Sequence, residues 1–204
     1  MKKSMRLFRA FLCVLFAAAV LGGCYLPSEF KADLRIAPNG NYNFKYEGLL
    51  VYLPLVKKLS EGELSAEALQ KEVSVIDGDL GRDSGFKEIA YIDRGTFRVR
   101  YARVGNIVRE KSFNFVRSSA RMLSIERRLD GTVHVIGDKP NKSLATQLAR
   151  GGFVVRGTLR VQTEAEVVRH NATEVTEAAA KLYIWRIEGV ERKSPRLVFN
   201  LQGR

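Results

Sequence analysis

The last quarter of the chain carries the strongest constraint on its fold. Phe153 to Val161, Glu166 to Val175, Lys181 to Ile187 and Arg196 to Leu201 are four short runs separated by turn-prone or small residues. Apolar side chains recurring at every second position leave one face for a core and the other for water, which suits a half-buried strand and not a helix of period 3.6. The same alternation opens the chain's globular part: Phe30, Ala32, Leu34 and Ile36 alternate with Lys31, Asp33 and Arg35. Pro38-Asn39-Gly40-Asn41 follows, and Asn-Gly accepts the positive φ of a tight turn. Tyr42, Phe44 and Tyr46 then resume the pattern, so Phe30 to Glu47 reads as a β-hairpin. A second hairpin is expected over Met122 to Ile136, turned by Asp130-Gly131. Phe97, Val99 and Tyr101 alternate with arginines, and Ser112 to Val116 continues in strand style.

Helices are fewer. Ser65 suits an N-cap ahead of Leu64, Ala68, Leu69 and Val73 on one face, giving a short helix over Ser65 to Val75. Leu144 to Leu148 is a second short candidate, stopped by Gly151-Gly152. Leu49 to Leu59 is apolar with Pro54 in its middle, and its pattern leaves a broken helix and a crossing segment both open. The count gives an α+β class: mostly antiparallel β-sheet with two or three short helices on one side.

The first 24 residues have a different logic. Lys2, Lys3, Arg6 and Arg9 make a positive segment with no acid before Glu29, and Ala10 to Leu21 is unbroken apolar chain. About twelve such residues fall short of the roughly 20 needed to cross a bilayer, so the segment reads as a signal sequence. It ends in Leu21-Gly22-Gly23-Cys24, which resembles the lipobox of bacterial lipoproteins. The resemblance implies that Cys24 carries diacylglycerol and becomes the first mature residue, with a further acyl chain such as palmitate on its amine. More than one chain is what stable anchoring requires. Residues 1–23 are thus expected to be a signal peptide, 24–29 a tether and 30–204 a single α+β domain. Tyr25 after the cysteine, in place of aspartate, implies the outer membrane facing the periplasm in a Gram-negative host.

Of the two cysteines, Cys13 leaves with the signal and Cys24 takes the lipid, so no disulfide is expected and the fold must rest on its core. The precursor has 34 Lys and Arg against 22 Asp and Glu. Without the four cations of the signal the net charge stays near +8, which attracts anions, and at an envelope these are lipid head groups. Nucleic acid is not an expected partner beyond a secretion signal.

No motif marks a reaction. His134 and His170 are the only histidines, and the sequence shows no four-ligand metal spacing, no Gly-x-Ser-x-Gly elbow and no phosphate-binding glycine loop. No catalytic residue, metal or cofactor is expected. Asp77, Asp79, Asp83 and Glu88 fall at positions 1, 3, 7 and 12 of an EF-hand-like count. Arg82 stands where that loop needs glycine, so an Asp/Gly-rich surface loop is the plainer reading. Arg94, Arg98, Arg100 and Arg103, continued by Arg109 and Lys111 with Arg127 and Arg128 nearby, suggest cations on one strand face. Such a face either rests on anionic lipid or is simply the solvated side of a sheet.

Four further segments carry a family resemblance: Gly157 to Val161, Ala165 to Thr173, Tyr183 to Ile187 and Pro195 to Phe199. A strand, an Asn-bearing turn, a strand with Trp185 and a last apolar strand resemble the LppM-like and DUF3153-like bacterial lipoproteins over about a quarter of the chain. The resemblance implies a lipid-anchored envelope protein with an α+β domain that touches lipid and has no catalytic motif. On the residues themselves, Asn171 suits a turn or bulge and Trp185 the core.

The expectation is therefore a non-catalytic, lipid-anchored envelope protein that binds lipid or another envelope component. The basic strand and Leu49 to Val56 are its candidate surfaces. A hydrolase of an envelope polymer is the alternative, requiring His134 or His170 beside a carboxylate or hydroxyl in a cleft. A structural subunit of an envelope assembly is the third option.

Overall fold

The computed structural model describes residues 25–117, 120–138, 146, 148–189 and 193–201. The expected signal sequence, Cys24 and most of the expected helix at Leu144 to Leu148 lie outside the described residues. The expected α+β class, mainly antiparallel sheet, is what the chain forms.

The hairpin forms as its pattern predicts but runs longer: β1 spans Tyr25–Ile36 and β2 spans Asn41–Tyr52, paired antiparallel. Gly40 takes the turn at φ +85. Residues 25–28, expected as tether, are strand instead. Tyr25 is 8% exposed and Leu26 3%. The reason is pairing: Tyr25 lies opposite Tyr52 and Leu26 opposite Val51, and the two tyrosine rings meet at 4.9 Å. The hairpin carries a bulge between Ser28 and Lys31. Beside it Gly48 is required, because a Cβ there would lie 2.6 Å from that of Phe30 and 2.7 Å from the Glu29 carbonyl.

Leu49 to Leu59 is helical only in its second part, and the rest is strand, neither loop nor helix. Its first residues finish β2, and α1 then covers Leu53–Ser60 with Pro54 in the first turn, where a missing N–H costs nothing. Leu50, Val51 and Leu55 are buried, so this segment is core and not a binding surface. Next, α2 covers Ala66–Gly81, its first turn capped by Ser65 accepting from Ala68 N. It runs six residues beyond the expected Val75 because Ile76 and Leu80 add two more buried positions to its inner face. Asp77 and Asp79 are thereby helical, and the Asp/Gly-rich loop read from the sequence does not exist there.

β3 (Phe86–Asp93) and β4 (Thr96–Asn106) follow, then the single turn α3 (Ile107–Glu110). β5 (Ser112–Arg117), β6 (Ala120–Arg127) and β7 (Thr132–Gly137) form a meander turned at Gly131. Then come β8 (Arg156–Thr163), β9 (Val167–His170), β10 (Glu174–Thr176), β11 (Lys181–Glu188) and β12 (Arg196–Asn200). They assemble into a seven-stranded sheet, β10-β11-β8-β1-β2-β4-β3, and a five-stranded one, β5-β6-β7-β12-β9. All pairs are antiparallel except β1 with β8. The expected run Glu166 to Val175 is the one that fails as a single strand: β9 belongs to the smaller sheet and β10 to the larger, and the chain crosses between them at Asn171.

The sheets meet through aromatic rings. Phe44 of β2 contacts Phe113 at 5.5 Å and Phe115 at 5.2 Å, both from β5. Tyr46 and Tyr101 each reach Phe115 at 4.8 Å. Such tilted pairs add about 0.5–1.5 kcal/mol each beyond their burial. Phe44 is fully buried at the centre of this cluster. Phe44→Ala is expected to destabilise the domain by about 3–5 kcal/mol, seen as a lower urea midpoint with an unchanged slope.

Candidate functional site

Three places bring functional chemistry together. The first is a cavity of about 80 Å³ between the sheets, lined by Leu26, Phe30, Ala32, Phe44, Phe115, Leu123, Val155 and Leu159 among others. It is built by the alternation of β1, β2 and β8, which turns Ala32, Phe44 and Leu159 toward the smaller sheet. Ala32 is the small residue among these, and its short side chain leaves space beside Phe44 and Tyr46. The lining includes the exposed Asp138, Gly189 and Lys193 and the half-buried Ser194, which form its polar rim. That rim lies at the Tyr25 end of the sandwich, and Leu26 and Pro27 belong to the lining.

The second is an open hollow of about 900 Å³ on the outer face of the larger sheet, at the bulge. Lys31, Arg98, Arg100, Arg156 and Arg186 share it with Glu29, Glu47, Glu88 and Glu188. Arg100 pairs with Glu88 and Arg186 with Glu174, so this face is of mixed sign.

The four arginines expected together do not share a face. Arg98 and Arg100 lie outward on β4, but Arg103, an odd number of residues away, turns to the core side. There it reaches Glu110 at 3.4 Å, and its guanidinium sits 5.4 Å from the Phe113 ring centre. Tyr42 donates to the same carboxylate at 2.7 Å. Burial, with this carboxylate next, pushes the Tyr42 hydroxyl above its usual range. Arg94 is in the β3–β4 turn at φ +41, beside Asp93. Arg109, Lys111, Arg127 and Arg128 collect at the far end of the sandwich, the third place, where Arg127 N donates to the Lys111 carbonyl. The alternation could have separated Arg103 from Arg98 in the sequence; Arg127 does lie near Lys111 as expected, but at the end of the sandwich and not on the face of Arg98 and Arg100.

Three of the four acids of the EF-hand-like count, Asp79, Asp83 and Glu88, are engaged with the fold. Asp79 pairs with Arg117. Asp83 accepts from Tyr101 at 3.0 Å and from Gly85 N at 2.8 Å. Among the described residues no three His, Cys, Asp or Glu are grouped to hold a metal ion.

The histidines sit apart. His134 Nε2 lies 3.1 Å from Thr132 Oγ1, whose hydroxyl donates to Asp130 at 2.7 Å. With that hydroxyl proton turned to the carboxylate, the tautomer that bonds the oxygen is the one protonated on Nε2. His170 Nδ1 accepts from Ala172 N at 3.2 Å, and its ring meets Tyr183 edge to face. Neither histidine lines the apolar cavity or the outer hollow.

Asn171 and Trp185 are structural, as their sequence setting suggests. Asn171 Oδ1 accepts from Trp185 Nε1 at 2.9 Å and from Arg196 N at 2.7 Å, and Nδ2 donates to the Ser194 carbonyl at 2.8 Å. One side-chain amide thus ties β11, the start of β12 and the crossing between sheets. Trp185 is buried.

The class defined by these features is a two-sheet α+β domain with an apolar cavity between its sheets. One solved structure similar to it is the NMR structure of the LppM folded domain of Mycobacterium tuberculosis, with a TM-score of 0.45 and 11% identity over 87% of this chain and 94% of that one. No protein-family model and no curated protein matches the chain.

Two outcomes are expected. Asn171→Ala leaves the buried Trp185 indole without its acceptor, costing about 1–3 kcal/mol, lowering Tm and shifting emission of the single tryptophan to the red. Burial, then the Arg128 charge, holds the His134 imidazole below its ordinary range. Its unfolded form therefore binds protons first, so stability is intact above about pH 6.5 and declines as pH falls through the folded value. Urea unfolding at pH 7.5 and 5.0 should show a larger loss for the wild type than for His134→Gln.

Proposed function

We propose that this chain is a lipid-anchored, non-catalytic cell-envelope protein whose domain holds the apolar tail of an envelope lipid between its two sheets. The observation that carries the reading is the cavity beside Leu26 and Ala32. An apolar space inside a packed sandwich stays dry and receives apolar matter, and its rim places Lys193 beside the opening, a cation of the kind that meets a lipid phosphate. At about 80 Å³ the partly open cavity has room for the end of an acyl chain. The lipobox supplies the anchor: with β1 starting at Tyr25, a lipid on Cys24 is joined to the domain with almost no tether, at the same end as the rim. No helix among the described residues is long and apolar enough to cross a membrane.

Organic extraction of the purified protein followed by mass spectrometry tests the cavity. The wild type is expected to release a stoichiometric lipid other than its own anchor. Ala32→Leu, which fills the space, should release at least tenfold less while melting at or above the wild-type temperature. A wild type free of extractable lipid makes the cavity a packing gap and removes this reading. The anchor is tested separately by alkyne fatty-acid labelling: label and membrane residence should both disappear in Cys24→Ala.

A further inference from the structure

The end of the sandwich remote from Tyr25 exposes side chains that a solvated surface ordinarily hides. Leu129 is fully exposed at the tip of the β6–β7 turn, Val108 is exposed on α3, and Val104 is 74% exposed at the end of β4. Backbone bonds hold these pieces together. Ile107 N donates to the Gly40 carbonyl and Arg127 N to the Lys111 carbonyl, each at 2.9 Å. The β1–β2 turn, α3 and the β6–β7 turn therefore form one tip. Two of its acids face cations, Glu110 with Arg103 and Glu126 with Arg128, while Asp130 accepts from Thr132 and keeps its charge. Among the described residues no acid pairs with Arg109 or Lys111.

We propose that this tip is a docking surface for an anionic lipid bilayer, with Leu129 and Val108 entering the headgroup region and Arg109 and Lys111 meeting lipid phosphates. Isolated exposed apolar residues need no explanation. Apolar residues gathered beside cations that have no acid to satisfy them are the combination that partitions to a charged interface. The outer hollow around Arg98 and Arg100 is the poorer surface, since cations and acids share it in nearly equal number. β1 alone, at 12 residues, sets the tip about 40 Å from residue 25. This contact is thus separate from both the Cys24 lipid and the cavity rim.

The test uses the mature chain with Cys24→Ser, which retains every core residue from Tyr25 to Phe199. It is sedimented with vesicles of phosphatidylcholine and phosphatidylglycerol at 7:3, or of phosphatidylcholine alone. Binding is expected only to the anionic vesicles and should weaken in salt. Arg109→Gln and Lys111→Gln should each weaken it about fivefold, and Leu129→Asp by tenfold or more, with circular dichroism and Tm unchanged. Leu129→Trp should bind at least as well and shift its emission to the blue on anionic vesicles. The paired change Arg98→Gln with Arg100→Gln should leave binding intact. Equal binding to neutral vesicles overturns the proposal. So does wild-type binding by Leu129→Asp, or a loss confined to the Arg98 and Arg100 pair.

Discussion

The rest of this structure depends on the aromatic contact between Phe44 and the Phe113–Phe115 pair. No disulfide braces the described domain, and its two sheets are joined by crossings instead of a shared strand. Edge-on and tilted ring packing therefore supplies the join, with Tyr46 and Tyr101 closing it from either side. Once the rings fix the spacing, whatever small residues face them determine where the sandwich is full and where it is not. Ala32 lies on that same face and leaves space toward the Tyr25 end.

Polar groups at the sheet crossings are used with similar economy. Asn171 satisfies an indole, a backbone amide and a carbonyl from three different segments. Glu110 receives both Tyr42 and Arg103. These bonds absorb residues that could otherwise pass for functional groups, the inward-facing Arg103 above all. Among the charges that remain outward are a mixed hollow on the larger sheet and the cations of the tip with their apolar neighbours.

Much of the fold was legible in the sequence because period-2 alternation reports directly which side of a strand is wet. Both hairpins, the Asn39-Gly40 and Asp130-Gly131 turns, the Ser65 cap and the buried Trp185 follow from local pattern. The misplaced elements are those where a distant partner overrode that pattern. Residues 25–28 look like tether until Tyr52 and Val51 pair with them. The helix at Ala66–Gly81 passes through Asp77, Gly78 and Asp79 because Ile76 and Leu80 have a sheet to pack on. The run Glu166 to Val175 is continuous in pattern, yet it divides at an asparagine whose acceptor is needed by two other strands.

By itself the sequence determined the class of the chain: amphipathic strands that must bury one face, few helices, and no cysteine after a lipobox-like Cys24. These are properties of neighbouring residues, and covalent order is enough to specify them. Only the tertiary structure decided that Arg103 turns inward to Glu110 while Arg109 and Lys111 stand with Leu129 at one tip, and that Leu26, Ala32, Phe115 and Leu159 surround one cavity. Such groupings arise from strand order and register between segments a hundred or more residues apart, where closure of the sheets, and no local preference, sets which side chains meet.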